Sequence, residues 1–108
     1  MAAPDSSRAR PRPARALPSP PPAGPPIVPP RAAVARAFGI ALRELRTARG
    51  LSQEALAAAA GIDRTYPSLL ERGVRAPTLV VVDRLARALG ISPSHLLERF
   101  QAALDGSS

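Results

Sequence analysis

The segment between Leu51 and Gly73 constrains the fold more than any other part of the sequence. It consists of two short stretches of helix-forming residues separated by Gly61. Glycine adopts positive φ without steric cost, so Gly61 predicts a sharp turn between the two stretches. Ser52 is a favourable N-cap for the first stretch. The predicted buried side of that first helix consists of Leu56, Ala57 and Ala60. The segment therefore predicts two short helices that meet at an angle.

Three further helices are predicted around this pair. A first helix runs from Val34 to Ala48, where apolar residues recur at helical spacing, and Gly50 ends it. Thr78 begins a fourth helix, and Ser92, followed by proline at the first helical position, begins a fifth. The residues expected to face the core are Leu79, Val82, Leu85, Ala86 and Leu89 in helix 4, and Leu96, Leu97, Phe100 and Leu104 in helix 5. No strand pattern is present, so the sequence predicts an all-α bundle of five helices.

Proline separates this domain, residues 34–104, from the start of the chain. Of the 14 prolines, 11 lie in residues 1–33. Proline fixes φ and has no N–H to donate, so we expect this Pro-, Ala- and Arg-rich arm to be disordered. We expect residues 105–108 to form a short C-terminal tail. Three interpretations of the arm remain open: a basic extension that adds non-specific affinity for DNA phosphates, a solvated tail, or the product of a misassigned start codon.

The charged residues indicate an anionic partner. The basic residues number 15 and are all arginines; they stand against 8 acidic residues, for a net charge of +7. A positive excess of this size in so small a protein favours nucleic acid as the partner.

Other classes of protein fit the sequence poorly. No apolar run approaches the ~20 residues that a membrane span requires, and the N-terminal arginines are not followed by the apolar stretch of a signal peptide. We therefore expect a cytoplasmic, nucleoid-associated protein with no membrane partner. With His95 as the single histidine, no cysteine and scattered acidic residues, the sequence predicts no enzyme activity, no metal site and no cofactor.

The predicted third helix, residues 63–72, has one polar face. At about 100° per residue, one side of this helix carries Tyr66, Pro67 and Leu70. The opposite side carries Arg64, Thr65, Ser68 and Leu69. Arginine donates two hydrogen bonds to guanine, and hydroxyl groups bond base edges or phosphates. We interpret the pair of helices as a helix-turn-helix whose second helix reads bases in the major groove. Leu69 fits either a thymine methyl contact or the edge of the core.

Several short motifs together resemble the Cro and phage-repressor type of helix-turn-helix protein, the XRE family. These motifs are Gly50-Leu51-Ser52-Gln53-Glu54, Gly61, Glu71-Arg72-Gly73 and Ala88-Leu89-Gly90-Ile91. The run Asp63-Arg64-Thr65-Tyr66 is similar to one in the controller proteins of restriction-modification systems. The resemblance implies a compact lambda-repressor-like bundle. It also implies a sequence-specific regulator of transcription that binds double-stranded DNA, as a homodimer on a palindromic operator.

The resemblance and the charges also suggest which residues contact the DNA backbone. The predicted phosphate contacts are Gln53, Arg46, Tyr66, Arg72 and Arg75. Arg46 is further expected to form an ion pair with Glu71 that ties helix 3 to helix 1. Pro67 departs from the family pattern, but the carbonyl four residues before it belongs to Asp63, the predicted cap. We therefore expect a tolerated but altered start of helix 3.

The sequence leaves two questions about partners open. Val80 and Val81 fall outside the inward side of helix 4, and Phe100 and Leu104 extend past the minimal bundle, so these four are candidates for a dimer interface. The alternative is that helix 5 folds them into the core. The alternative function is an antitoxin-like protein that binds a toxin partner and autoregulates its operon.

Overall fold

The computed structural model describes residues 28–106, which form five α-helices and no strand. The helices are α1 (Arg31–Ala48), α2 (Gln53–Ala60), α3 (Tyr66–Glu71), α4 (Leu79–Ala88) and α5 (Pro93–Gly106). The all-α prediction is confirmed for this part of the chain. Residues 1–27, which make up most of the predicted arm, and residues 107 and 108 of the predicted tail lie outside the described residues.

Three helices begin at hydroxyl caps; the sequence predicts Ser52 and Ser92 as caps, and Thr78 only as the start of its helix. The Ser52 hydroxyl accepts a hydrogen bond from the Ala55 N–H at 3.0 Å. The Thr78 hydroxyl accepts from the N–H of Val81 at 3.2 Å, and the Ser92 hydroxyl from that of His95 at 3.0 Å. Each cap pairs one of the N–H groups that the first turn of a helix leaves without a backbone partner.

Helix α1 begins at Arg31, ahead of the predicted Val34. Pro30 occupies the N-cap with an extended backbone, φ −64° and ψ 153°. Its carbonyl accepts from the N–H groups of Ala33 at 3.0 Å and Val34 at 3.1 Å. A proline can hold this position because the N-cap N–H takes no part in the helical ladder.

Helix α3 is shorter than the predicted residues 63–72, because it begins at Tyr66. Asp63 does not cap it, since its carboxylate bonds within the turn that precedes the helix. Pro67 lies in the first turn of α3, where its missing N–H removes no helical hydrogen bond, and it is fully buried. The altered helix start expected from Pro67 therefore takes the form of a late start.

The core is built mainly from leucines, and every helix contributes to it. The largest fully buried side chains are Leu42, Leu56, Leu70, Leu85, Leu89, Leu96 and Pro67. Helix α2 packs mainly on α4 and helix α3 mainly on α1, so the surrounding helices hold the pair in its relative orientation.

Two residues predicted to face the core lie at the surface instead. Leu79 is 79% exposed and Leu97 is 39% exposed. Leu79 continues the buried side of α4 by helical spacing, but it is the first residue of that helix. Periodicity identifies a face of a helix without showing where the neighbouring helix stops covering it.

A close approach between α1 and α3 has no counterpart in the sequence predictions. A Cβ placed on Gly39 would lie 2.3 Å from the Leu70 carbonyl oxygen and 2.7 Å from that of Glu71. Gly39 is itself buried within α1. The absence of a side chain at this position lets the last turn of α3 rest directly on the backbone of α1.

We expect Gly39→Ala to lower the free energy of unfolding by about 2 kcal/mol, because the added methyl group pushes α3 away from α1. Urea denaturation followed by circular dichroism measures this change. Gly106→Ala is the matched control, since a Cβ there meets nothing within 4 Å. Equal stability of the two variants would contradict the close approach.

Candidate nucleic-acid interface

The N-terminus of α2 and the region around α3 form an open groove of about 330 Å³. Its lining residues are Gln53, Glu54, Arg64, Thr65, Ser68, Leu69 and Arg72. The four predicted base-reading residues therefore share one concave surface with two of the predicted phosphate contacts. Leu69 is half-buried at the edge of this groove.

The turn between the two helices has the left-handed backbone predicted for Gly61, with φ 68° and ψ 36°. The N–H of Ile62 donates to the Ala57 carbonyl at 3.1 Å, which closes the end of α2. Arg84 of α4 donates from Nη1 to the Gly61 carbonyl at 3.2 Å. The turn is thereby tied to α4 as well as to the helices that it joins.

Arg46 and Glu71 form a two-pronged ion pair between α1 and α3. The Nε of Arg46 donates to Glu71 Oε2 at 2.6 Å, and its Nη2 donates to Oε1 at 3.0 Å. The two side chains are only 13% and 5% exposed, respectively. The hydrogen bonds to Glu71 raise the pKa of Arg46 despite the opposing effect of burial, so the guanidinium stays charged.

Gln53 belongs to the same network. Its Nε2 donates to Glu71 Oε1 at 3.0 Å, so one carboxylate oxygen holds both the arginine of α1 and the glutamine of α2. Gln53 is the first residue of α2, next to the cap at Ser52. The network therefore holds the side chain of Gln53 at the N-terminal mouth of the groove.

The turn before α3 is organised by Asp63. Its Oδ2 accepts the backbone N–H of Thr65 at 2.9 Å and also contacts the Thr65 hydroxyl. The hydrogen bonds from the Thr65 hydroxyl and N–H lower the pKa of Asp63, so the carboxyl group is ionised at neutral pH. Arg64 and Thr65 thus reach the groove from an ordered turn and not from a regular helix.

Comparison with known proteins agrees with this geometry. A family of proteins described as helix-turn-helix matches residues 42–96 of the chain. The protein is a member of the helix-turn-helix family. Control protein C.BamHI of Bacillus amyloliquefaciens is 39% identical over 62 residues, which make up 56% of this chain and 76% of that protein.

Solved structures of related controller proteins share the fold. The restriction-modification controller C.AhdI of Aeromonas hydrophila is 53% identical with a TM-score of 0.58, over 59% of this chain and 97% of its own. The controller C.Esp1396I, solved as a tetramer in complex with its natural 35 base-pair operator, is 25% identical with a TM-score of 0.61. That match covers 66% of this chain and 93% of the controller chain.

The hydrogen bonds of Arg46 argue against its predicted role as a phosphate contact. Arg46 also donates from Nη1 to the Leu51 carbonyl at 2.7 Å. All three nitrogens of its guanidinium are therefore used inside the domain, and its side chain is largely buried. We assign Arg46 to the ion pair with Glu71 and not to the phosphate backbone.

The other predicted phosphate contacts occupy different surroundings. Arg72 is exposed beside the groove, and its Nε donates to the Ser68 carbonyl at 3.4 Å. Arg75 is exposed on the connection between α3 and α4, outside the groove lining. Tyr66 is half-buried and packs against the core. Their contacts with DNA stay predictions.

The residues predicted for a dimer interface also differ in burial. Val80 is 63% exposed, whereas Val81 packs partly against the core. The ring of Phe100 lies 6.4 Å from that of Phe38, measured between centroids. Leu104 is half-buried near the end of α5. Of these four residues, Val80 presents the most exposed side chain to a partner.

Glu54 was missed as a residue of the groove. Its position directly after Gln53, in the first turn of α2, was the available signal. Within residues 28–106, no helix is long and apolar enough to cross a membrane, and no three His, Cys, Asp or Glu side chains cluster as metal ligands.

We expect Glu71→Gln to reduce the free energy of unfolding by about 3 kcal/mol, because Arg46 then lacks its counter-charge in a largely buried position. Chemical denaturation at neutral pH measures the loss. The exposed pair of Asp83 and Arg87 supplies the control, since Asp83→Asn should leave the unfolding midpoint unchanged. A Glu71→Gln variant as stable as the control would contradict a structural role for the buried pair.

Proposed function

We propose that this protein regulates transcription by binding a specific double-stranded DNA operator. The observation that carries the proposal is the groove in which the polar residues around α3 meet the N-terminus of α2. Membership of the helix-turn-helix family supports the same function. In a helix-turn-helix, the recognition helix lies in the major groove and its N-terminal residues contact base edges.

Within this groove, the residues divide into two roles. Arg64 carries a planar guanidinium that suits the two acceptors of guanine, and Thr65, Ser68 and Leu69 lie beside it for further base contacts. Gln53 uses one amide proton on Glu71 and keeps the other for a phosphate oxygen, next to the free N–H groups of the first turn of α2. Arg72, Arg75 and the Tyr66 hydroxyl complete the proposed backbone contacts.

A second copy of the chain is the proposed protein partner. Leu79 and Val80, adjacent at the start of α4, are 79% and 63% exposed. Two large exposed apolar side chains at the same end of a helix favour burial against another molecule. The C.Esp1396I controller binds its operator as a tetramer. We therefore propose a two-fold dimer that buries these residues and reads two half-sites of a palindrome.

The antitoxin-like alternative is less favoured. The relatives described above are a control protein and two restriction-modification controllers, and the polar residues of the groove suit contact with DNA. We further propose that the protein acts through binding alone, with no enzymatic step and no cofactor.

Selection of binding sites from random DNA duplexes at physiological salt tests the function. We expect the wild-type protein to enrich one palindromic sequence. Arg64→Ala should bind that sequence about tenfold more weakly and lose preference for guanine at one position, because it removes a bidentate base contact. Arg99→Ala, which alters only an exposed ion pair with Glu44, is the control and should select the wild-type sequence. Enrichment of no sequence by the wild-type protein would overturn the proposal.

The proposed dimer gives a separate prediction. We expect Val80→Asp to sediment as a monomer and to bind the operator at least about tenfold more weakly, because a charge in an apolar interface must be desolvated. Val74→Asp is the matched control, since Val74 is similarly exposed, at 59%, on the connection between α3 and α4. Analytical ultracentrifugation of both variants shows whether only the α4 position controls assembly. A wild-type protein that stays monomeric on operator DNA would contradict the dimer.

A further inference from the structure

One hydroxyl group in the proposed reading surface has a hydrogen-bonding direction that the structure determines. Thr65 is exposed and lines the groove beside Arg64 and Ser68. Its hydroxyl contacts Asp63 Oδ2, and the same carboxylate oxygen accepts its backbone N–H at 2.9 Å. The two bonds together fix the rotamer of Thr65 and hold its oxygen in one place.

The proton in this contact belongs to Thr65. A threonine hydroxyl offers one proton and two lone pairs, whereas an ionised carboxylate only accepts hydrogen bonds. The lowered pKa of Asp63 keeps its carboxyl group ionised at neutral pH. Because the single proton of the Thr65 hydroxyl is directed at Asp63, the hydroxyl presents only lone pairs to the groove.

This polarity restricts what Thr65 can bond. In the major groove, adenine and cytosine display amino groups that donate, whereas guanine and thymine display keto oxygens that accept. A hydroxyl without a free proton bonds the amino group and is repelled by the keto oxygen. Phosphate oxygens are acceptors too, so the same argument excludes Thr65 as a phosphate contact.

We propose that Thr65 selects an amino base, adenine or cytosine, at one position of each operator half-site, and that Asp63 imposes this choice. Thr65 touches the base, and Asp63 acts through Thr65 as a positioning residue. The inference rests on the proposed function, since it assumes that this groove reads the major groove of DNA. It adds the class of base that one residue recognises and the residue that determines the class.

Site selection with four proteins tests the inference. The wild type should enrich adenine and cytosine over guanine and thymine by about fivefold at one position, the value of one hydrogen bond. Thr65→Val, which keeps the shape and removes the hydroxyl, should level that position and leave the others unchanged. Asp63→Ala frees the proton of Thr65, so all four bases should then be accepted there. Thr47→Val is the matched control, because the Thr47 hydroxyl bonds backbone carbonyls within α1 and lies outside the groove lining.

Base analogues isolate the amino group itself. Purine in place of adenine, or pyrimidin-2-one in place of cytosine, removes only the amino group from the selected base. We expect this replacement to weaken binding of the wild-type protein about fivefold and to leave binding by Thr65→Val unchanged. Because the wild-type protein is used, this measurement keeps its value even if Asp63→Ala fails to fold, which thermal denaturation would reveal.

The possible failures are distinguishable. A wild-type site that depends on Arg64 but shows a keto base at the Thr65 position overturns the inference and leaves the proposed function standing. The same holds for an amino preference that survives Thr65→Val or persists unchanged in a folded Asp63→Ala. Enrichment of no site by the wild type overturns the proposed function and the inference together.

Discussion

The ion pair between Arg46 and Glu71 connects most of the parts that the proposed interface needs. The side chain of Glu71 is 5% exposed, and its carboxylate accepts hydrogen bonds from Arg46 of α1 and from the amide of Gln53 of α2. Arg46 in turn binds the Leu51 carbonyl, just before α2 begins. Two charges and three backbone segments are thereby held in one arrangement. A buried charge keeps this arrangement because the alternative is a desolvated ion without a partner.

Helix α3 depends on such support because it is very short. A helix of six residues, Tyr66–Glu71, has almost no stability of its own in water. Its inner side is held by Leu70, which is fully buried, and its last turn rests on Gly39 of α1. The ion pair at Glu71 fixes its end. Apolar burial thus supplies most of the stability, and the glycine contact and the ion pair set the position.

The starts of α2, α4 and α5 and the turn after α2 could be predicted from the sequence, because single residues determine them. Ser52, Thr78 and Ser92 cap helices through their own hydroxyls, and Gly61 reaches a left-handed turn that other residues avoid. The groove was predictable for a similar reason, since its residues are close together in the chain.

The parts that escaped prediction depend on contacts between distant segments. The exposure of Leu79 reflects where its neighbours end, and the use of Arg46 inside the domain reflects a carbonyl and a carboxylate that only the fold brings together. The close approach at Gly39 involves the backbone of another helix. The start of α3 at Tyr66 arises from competition, because the carboxylate of Asp63 organises the preceding turn and not the helix.

The late start of α3 has a consequence for protein engineering. Arg64 and Thr65 precede the helix, so their directions are set by the turn at Asp63 and by Gly61, and not by the helical repeat. Transplanting the helix alone into another scaffold would therefore carry Ser68 and Leu69 but lose the turn that orients Arg64 and Thr65. A transplanted segment must therefore include the turn from residue 61 as well as the helix. Its recipient must also supply a counter-charge for Glu71 and a side-chain-free backbone where the last turn of the helix lands.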